Sequence, residues 1–469
     1  MLVADQMRHK PGPTRLRARW VVSLELPPIE NGEVVIEDGR IVQVAKGAAR
    51  VPDDTLDLGD CALLPGFVNV HAHLEYTVMR GLLEDIAFFP WIRTLNALKA
   101  FVSGDEWVAS ATLGAAEMIQ AGVTTLADAS DAGAALPALL SSGMRGIVLR
   151  EVFGIEAAPP TEQIVGVLRG KIAAMQAQIA RSGGEDRVGV GISPHAPYTV
   201  RPDLLRALAE FAARENLTQT IHIAESPAEV ALIGQGSGPF AEMFVRRGIV
   251  WNTPHVSPVA YLDSCGTLLP GTIAVHAVHL ENGDVERLRA AGATIAHCPK
   301  SNGKLGAGIA PVAELLKAGV PVGLGTDSMV SNNGADMFEE MRTAIAFARV
   351  RAQNPDALSA HTVLRMATLG GAEVLGMQAK TGSLKAGKRA DLCAVRLGNL
   401  NTFPTGDDNP VAALVYGCRA SDVALTMVDG RVLFENNRHV LLDVPRLRNA
   451  VGATRKKLAT ETEKLLGQA

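Results

Sequence analysis

The sequence predicts an α/β protein, a (β/α)8 TIM-type barrel with a small β-sandwich domain built from both chain ends. In the middle of the chain, eight short apolar strands alternate with helices. Strands that alternate with helices form a parallel sheet, and eight such units close into a barrel. Both chain ends instead contain short strands separated by tight turns, which cannot bury an apolar face alone. We therefore expect the two ends to form one β domain.

The chain ends carry the hairpin signals. Asp38-Gly39 lies between the alternating runs 33–37 and 40–44, and Asp-Gly is typical of a two-residue hairpin turn. Similar short strands return at 390–395 and 423–434. We assign residues 1–64 and 379–469 to the β domain, with a terminal helix at about 444–467, and residues 65–378 to the barrel.

The first barrel strand ends at His71, and seven further strands are predicted at 123–128, 146–151, 188–193, 219–223, 273–276, 294–297 and 320–325. Helices are predicted between them, the clearest at 106–121, 161–181 and 202–215, and the stretch from 74 to about 103 is predicted to be irregular. A doubly wound sheet is disfavoured because no glycine-rich phosphate turn follows the first strand.

Composition excludes several classes of protein. Of 469 residues, 47% are hydrophobic and 20% charged, and the net charge of −4 offers no basic face for nucleic acid or an anionic membrane. No apolar run reaches the roughly 18 residues that span a bilayer. The N-terminus lacks the apolar core of a signal peptide. We expect a cytoplasmic protein with no nucleic-acid or membrane partner, whose five scattered cysteines are reduced.

Polar side chains collect where the predicted strands end, which is the face on which barrel enzymes carry their chemistry. His71 and His73 follow the first apolar strand, and side chains two residues apart on a strand point the same way. The later strand ends supply His195, His222, Glu225, His276, His279, His297 and Asp327. Three imidazoles and a carboxylate, from His71, His73, His222 and Asp327, suit one Zn²⁺ or Fe²⁺ ion.

Five motifs carry a resemblance to a known family. They are PGFVNVHAH (65–73), the His222-x-x-Glu225 pair, HAVHL (276–280), HCPKSNGKLGAG (297–308) and GLGTDS (323–328). Together they resemble the amidohydrolase superfamily, specifically its branch of nucleoside, guanine and cytosine deaminases and triazine hydrolases. The resemblance implies one divalent ion, with Zn²⁺ first and Fe²⁺ or Mn²⁺ as alternatives, bound by the four ligands above.

The resemblance also implies the catalytic roles. Glu225 would shuttle a proton, and His276 would polarise the attacking water or bind the metal more weakly. Binuclear members use a lysine at the end of strand four, where this chain has SPH (193–195), so one metal is expected. A metal lowers the pKa of water, and Asp327 can accept its proton. Glu225 can protonate a ring nitrogen, and ammonia is then expelled. His297 and Cys298 are predicted not to bind the metal.

The sequence predicts the substrate less precisely than it predicts the metal ligands. RGLLEDIAFFPW (80–91), Arg150 and His195 resemble deaminases of S-adenosylhomocysteine or methylthioadenosine, although the glutamate that those enzymes use for the ribose hydroxyls is missing near Lys99. Glu75, Trp91 and SPHAPYTV (193–200) look more like aminofutalosine deaminases. The predicted substrate contacts are Glu75, Trp91, Arg150, His195 and His279.

The expected function is therefore hydrolytic deamination of a small heterocycle, most simply an adenine nucleoside. Removal of chloride or an amine from a triazine, and deamination of guanine, a pterin or cytosine, use the same machinery and stay open. A barrel without enzymatic activity is the remote alternative, because such a protein should have lost ligands. The sequence also leaves open a homo-oligomer such as a dimer.

Overall fold

A computed structural model describes residues 13–47 and 55–467. Residues 1–12, in which the sequence shows no signal-peptide core, lie outside the described residues, as do 48–54 and 468–469 of the predicted β domain. Within the described part of the chain, none of the helices combines the length and the apolar character needed to cross a membrane. The cytoplasmic location stays a prediction.

The middle of the chain forms a parallel sheet in which each barrel strand pairs with the next. Barrel strands one to eight are Phe67–His73, Val123–Ser130, Arg145–Val152, Val188–Pro194, Thr218–Ile223, Ile273–His276, Thr294–His297 and, in two pieces, Val322–Leu324 and Asp327–Ser328. The first piece of strand eight pairs with strand seven, and the second piece pairs with strand one. The sheet thus returns to its own first strand, and the predicted barrel is confirmed.

Helices connect the strands and cover the barrel. The α-helices of the described residues are Phe88–Lys99, Gly104–Gln120, Ala135–Ser142, Thr161–Ser182, Pro202–Glu215, Pro227–Gln235, Pro239–Arg247, Pro258–Ser264, Asp284–Ala291, Pro299–Lys304, Val312–Lys317, Met329–Asn332, Met337–Ala352, Ala360–Met366, Leu369–Val374, Pro410–Ala412 and Val444–Gly467. Short 3-10 turns lie at Leu74–Met79, Thr405–Asp407 and Ala420–Asp422, and a π turn lies at Ala413–Gly417.

The predicted irregular stretch after strand one is wrong, because it contains the helix Phe88–Lys99. This helix begins at Ala87 without a side-chain cap, and Pro90 stands in its first turn. The next helix, Gly104–Gln120, begins with a capping box between Ser103 and Glu106. A capping residue is the main sequence signal for a helix start. The sequence therefore predicts the start of the second helix but not that of the first.

Strands from both chain ends form a second sheet. Its members are Thr14–Val21, Ile29–Glu37, Arg40–Lys46, Thr55–Asp57, Cys61–Pro65, Leu392–Arg396, Val423–Val428, Arg431–Glu435 and Arg438–His439. The two ends meet where Cys61–Pro65 pairs antiparallel with Leu392–Arg396. A two-layer sandwich and the boundaries 1–64, 65–378 and 379–469 stay predictions.

A buried arginine ties the barrel to the second sheet. Arg145, at the start of barrel strand three, is 1% exposed. Its Nε donates to Asp391 Oδ2 at 2.5 Å, and its Nη2 donates to Asp429 Oδ1 at 2.6 Å. A buried charge is tolerated only when it is paired and hydrogen-bonded, so these contacts fix strand three against the terminal sheet.

Apolar side chains fill the barrel interior below the functional face. Val68 and Val70 of strand one, Ile147 and Leu149 of strand three and Val275 of strand six belong to one buried cluster. The polar strand-end residues therefore lie above a buried, packed apolar layer. A packed interior of this kind holds the strand ends in fixed positions.

Candidate active site

A cavity of about 420 Å³ opens where the barrel strands end. The predicted site residues that line it are His73, Trp91, His195, His222, Glu225, His276 and Asp327. His71 is completely buried directly beside them, with its ring centroid 5.0 Å from that of His222. The structure thus brings the predicted strand-end residues to one place. We call His71, His73, His222, Glu225, His276 and Asp327 the polar half of the cavity.

Ligand atoms in the polar half converge. One nitrogen of His71, one of His73 and a carboxylate oxygen of Asp327 all lie within 4.8 Å of one another, as do nitrogens of His71, His222 and His276. Asp327 Oδ1 is 3.6 Å from His71 Nε2 and 3.5 Å from His73 Nε2. Neither nitrogen of the His71 ring finds a hydrogen-bond partner among the described residues. The two groups share His71, so the five side chains surround a common space.

Three imidazoles of the polar half, those of His71, His73 and His222, are held in their neutral form. Burial lowers the pKa of His71 to about 3 and also lowers those of His73 and His222. The approach of Asp327 to His71 and His73 is therefore no ion pair at neutral pH. Unprotonated nitrogens face a carboxylate there, and such crowded electron-pair donors are favourable when a cation lies between them.

Asp327 is fixed in its ionised form. Burial raises the pKa of Asp327, but the nearby imidazoles of His71, His73 and His276 outweigh burial and lower the pKa well below its usual range. Oδ2 accepts from Ser301 Oγ at 2.5 Å and from Ser331 Oγ at 3.0 Å, and Oδ1 accepts from the backbone N–H of Ser328 at 2.7 Å. The carboxylate orientation is thus set from three sides.

Two residues of the polar half have left-handed backbones. The φ angle is +74° at His276 and +58° at Asp327, a conformation that non-glycine residues adopt rarely and at some cost. Ile273 and Val275 of strand six pack inside the barrel, so simple alternation would turn His276 outward. The left-handed backbone instead turns its ring into the cavity. Strain of this kind persists where the surrounding structure enforces it.

Glu225 faces His276 across the polar half. Glu225 Oε1 lies 3.6 Å from His276 Nε2, and His276 Nδ1 lies 2.9 Å from Asn302 Oδ1. This contact is that of an Nδ1–H donating to the amide oxygen, so Nε2 is left facing Glu225 and the cavity. Glu225 is 8% exposed and lines the cavity wall. A carboxyl and an imidazole placed this way can exchange protons with a bound ligand.

A second glutamate holds the loop that carries Glu225. Glu229 is fully buried, and its two carboxylate oxygens accept from the backbone N–H groups of Ala224 at 2.8 Å and Glu225 at 2.9 Å. Burial raises its pKa to about 8. Sequence reasoning missed Glu229. Its signal was the run Ser226-x-x-Glu229, which has the spacing of a capping box, and Ser226 does cap the helix Pro227–Gln235.

The rest of the cavity, which we call the mixed half, combines aromatic rings with charged groups. Its members are Tyr76, Phe88, Phe89, Trp91, Lys99, Asp131, Glu151, Phe153, His195, Tyr198 and Phe240. Rings pack closely, with centroids 4.2 Å apart for Tyr198 and Phe240 and 4.7 Å apart for Phe153 and His195. Lys99 Nζ lies 3.2 Å from Asp131 Oδ2. Burial raises the pKa of Glu151 to about 7, against the opposing effect of Lys99.

Three predicted substrate contacts are turned away from the cavity. Glu75 is 1% exposed, and its carboxylate accepts hydrogen bonds from Ser130 Oγ at 2.8 Å and from the backbone N–H of Asp131 at 2.9 Å. His279 Nε2 lies 2.6 Å from the carbonyl oxygen of Ala307. Arg150 packs on the outer side of strand three, near Gly133. We therefore correct these three placements to loop or strand contacts.

Glu151 takes the position that was predicted for Arg150. Successive side chains on a strand point to opposite faces, and Ile147 and Leu149 pack inside the barrel, so Glu151 follows them inward. The alternation of side chains along strand three could have identified Glu151. Both faces of this strand are apolar, however, so the sequence does not show which face points into the barrel. His297 and Cys298 do not line the cavity, and the Cys298 Sγ lies 3.9 Å from the carbonyl oxygen of Ala296.

Known proteins are similar to this chain in sequence and architecture. Residues 62–433 match the model of the amidohydrolase family. The chain is 35% identical to a 5-methylthioadenosine/S-adenosylhomocysteine deaminase of Syntrophobacter fumaroxidans, covering 90% of this chain and 92% of the relative. It is 34% identical to a 5'-deoxyadenosine deaminase of Methanothermobacter thermautotrophicus, covering 90% and 93%.

A solved structure agrees with the sequence relatives. An adenosine deaminase from Xanthomonas campestris with bound zinc superposes with a TM-score of 0.84 and 28% identity, covering 95% of this chain and 98% of that one. The family match spans most of the described chain, and the relatives are similar along nearly their whole length. This chain belongs to the amidohydrolase family.

Proposed function

We propose that this protein is a metal-dependent hydrolase that deaminates the adenine ring of a nucleoside and releases ammonia. The observation that carries the proposal is the convergence of Glu225, His276 and Asp327 with three neutral imidazoles at one end of a single cavity, two of them in its wall and His71 buried directly behind them. The names of the relatives, which include deaminases of methylthioadenosine, S-adenosylhomocysteine and 5'-deoxyadenosine, support an adenine nucleoside as the substrate class.

The donor set of the polar half fits one divalent cation. His71, His73, His222 and Asp327 would hold it, because three neutral nitrogens and one carboxylate leave a position open for water, as catalytic zinc sites require. His222 Nδ1 donates to the carbonyl oxygen of His195 at 2.8 Å, which aims Nε2 at the cavity. Zinc is the first choice, with Fe²⁺ or Mn²⁺ as alternatives. The ion, when bound, supplies a Lewis acid that acidifies water near neutral pH.

The protein's own groups then move the protons. Asp327 accepts a proton from the attacking water, and its serine contacts keep the carboxylate aimed at the reacting atoms. Glu225 donates a proton to the ring nitrogen next to the carbon that bears the amino group, which makes that carbon electrophilic. His276 stabilises charge that develops beside that carbon. Asp327 passes the proton that it took from water to the exocyclic nitrogen, the added hydroxyl returns a proton to Glu225 as the carbonyl forms, and the carbon–nitrogen bond breaks to release ammonia.

The mixed half suits the remainder of a nucleoside. A volume of about 420 Å³ lies within the range of pockets that bind small organic ligands. Aromatic side chains such as Trp91, Phe153 and Tyr198 offer flat surfaces for a purine or for an apolar substituent. The negative net charge of the protein and the size of this cavity favour a small heterocycle over a polymer.

Ammonia release from a panel of compounds tests the proposal. The panel contains adenosine, 5'-deoxyadenosine, methylthioadenosine, S-adenosylhomocysteine and aminofutalosine, with guanine, cytosine, a pterin and a chlorotriazine as the comparison set. The metal-replete protein should turn over adenine nucleosides with the highest kcat/KM. Turnover of a triazine, guanine, pterin or cytosine without turnover of any adenine nucleoside would assign the alternative reaction. A fully metallated protein inactive on the whole panel would indicate a scaffold.

A further inference from the structure

Glu151 presents an unsatisfied oxygen at the cavity. It ends the inward-facing row of strand three, lines the cavity and is only 8% exposed. Its Oε1 has no hydrogen-bond donor within the part of the chain that the structure describes. A buried carboxylate oxygen without a donor costs free energy, so such an atom is favourable where a ligand supplies the missing donor. The mechanism above makes no use of Glu151.

Lys99 and Asp131 line the same cavity as Glu151. Lys99 Nζ lies 3.2 Å from Asp131 Oδ2, and it lies 5.1 Å from the ring centroid of Tyr76 and 5.9 Å from that of Phe153. All of these side chains line the same cavity. An acceptor with an unused lone pair and a cationic donor therefore occur together. A hydroxyl group, which donates one hydrogen bond and accepts others, matches that pair.

The chemistry of the proposed reaction indicates which hydroxyls reach this place. In adenine, the carbon that loses its amino group and the nitrogen that Glu225 protonates lie on the six-membered ring. The sugar is attached to the five-membered ring, at the other end of the purine. Glu225 and His276 follow strands five and six, whereas Asp131 and Glu151 lie at the ends of strands two and three. The sugar would thus extend toward strands two and three.

We propose that Glu151, assisted by Lys99, binds the sugar hydroxyls of the substrate and makes the enzyme selective for a ribose. This inference rests on the proposed adenine nucleoside deaminase function. Glu151 accepts the hydroxyl proton in a hydrogen bond, and the Lys99 ammonium donates to a hydroxyl oxygen. The contact is a hydrogen bond only, and no proton is transferred.

A metal-binding role for Glu151 is the competing interpretation, because one of its oxygens lies within 4.8 Å of nitrogens of His195 and His222. In both histidines, one ring nitrogen is already engaged in a hydrogen bond. His195 Nδ1 lies 2.9 Å from Thr199 Oγ1, and His222 Nδ1 donates to the carbonyl oxygen of His195 at 2.8 Å. His222 Nε2 is also committed to the proposed ligand set of the polar half. Metal content of the variants separates the two roles.

The test compares kcat/KM for adenosine, 2'-deoxyadenosine and 3'-deoxyadenosine in the metal-replete wild-type enzyme and in Glu151→Ala. Hydrogen bonds to charged groups predict that the wild-type enzyme prefers adenosine over at least one deoxynucleoside by about 10- to 100-fold. Glu151→Ala should lose that factor with adenosine and lose little with the deoxynucleoside, so that the preference falls close to unity. Metal content should equal that of the wild-type enzyme.

Two further variants keep the experiment interpretable. Glu151→Gln preserves size and one acceptor oxygen, so it should fold where the alanine variant fails and should show an intermediate preference. Glu156→Ala removes a matched carboxylate that also lines the cavity but is exposed and paired with Arg247. This control should keep the wild-type preference for adenosine.

Three results would overturn the inference, and each points to a different cause. An unchanged preference for adenosine in both Glu151 variants would show that the sugar hydroxyls are bound elsewhere. Loss of metal from Glu151→Ala would make Glu151 a ligand. A wild-type enzyme that deaminates no adenine nucleoside would remove the proposed function itself, and that result is visible before any variant is made.

Discussion

The two halves of the cavity are held in place by different means. In the polar half, side chains leave the ends of paired barrel strands, and buried hydrogen bonds fix them, as Ser301 and Ser331 fix Asp327. In the mixed half, Trp91 and Lys99 come from a helix in the loop after strand one, and Lys99 and Asp131 are partly exposed. We infer that changes in the polar half abolish function, whereas changes in the mixed half adjust it.

Removal of a proposed metal ligand should give the largest effect. His222→Ala takes away one of three imidazoles and should lower both bound metal and ammonia release to background, because the remaining donors hold the ion weakly. Elemental analysis and an ammonia assay on the same preparation measure both. His279→Ala is the matched control, since this histidine contacts the carbonyl oxygen of Ala307 outside the cavity and should leave metal content unchanged. Full metal in His222→Ala would contradict the ligand assignment.

Replacement of the proposed proton donor should give the next largest effect. Glu225→Gln keeps size and hydrogen bonding but cannot deliver a proton, so kcat should fall by about 10² to 10⁴. The four proposed ligands stay intact, and metal content should not change. The KM for the best nucleoside should change much less than kcat, since an amide still contacts the ring. Near-normal turnover by this variant would make Glu225 a structural acid and require another proton source.

The polar half was predictable from the sequence because strand position determines it. A parallel barrel brings every strand end to one face, so His71, His73, His222 and Asp327 could be placed together without any contact being known. The same reasoning does not predict the backbone conformation at the strand ends. The left-handed conformations of His276 and Asp327 depend on packing around them, which no local pattern records.

The mixed half was predicted less well for three physical reasons. Glu75 was assigned to substrate because it closely follows His73, but its carboxylate is used by the loop after strand two. Arg150 was taken from the resemblance to known deaminases, but Glu151 is the residue that lines the cavity, and a strand that is buried on both faces gives no sequence signal for which side chains point inward. The helix Phe88–Lys99, which supplies Trp91, lacks a capping signal. Loop positions depend on such tertiary contacts.

A stability measurement tests the reassignment of Glu75. Its carboxylate accepts from Ser130 Oγ and from backbone N–H groups in a fully buried setting, so Glu75→Gln should lower the free energy of unfolding by about 1 to 3 kcal/mol. The kcat and KM should stay near wild-type values. Glu314→Gln, which alters a surface pair with Arg351, should change stability little. Normal stability with a raised KM would return Glu75 to the substrate contacts.

The smallest expected effect is a pH dependence at His297, a buried histidine near His276 of the polar half. His297 ends strand seven, is 2% exposed, and burial lowers its pKa to about 3 from an ordinary value of 6.5. Between these two values the unfolded chain binds a proton on His297 and the folded chain does not. Stability must therefore fall as the pH is lowered through this range, by up to about 1.4 kcal/mol per pH unit for one proton.

Replacement of His297 isolates that contribution. In His297→Gln, the free energy of unfolding from urea denaturation should decline less steeply between pH 6.5 and 4.5 than in the wild-type protein, with the metal present in both. A constant loss of stability from the substitution shifts the whole curve and does not alter its slope, so the slope is the informative quantity. The exposed His255→Gln serves as the control. Equal slopes for wild type and His297→Gln would mean that His297 takes up its proton inside the folded protein. The end of strand seven would then be accessible to water.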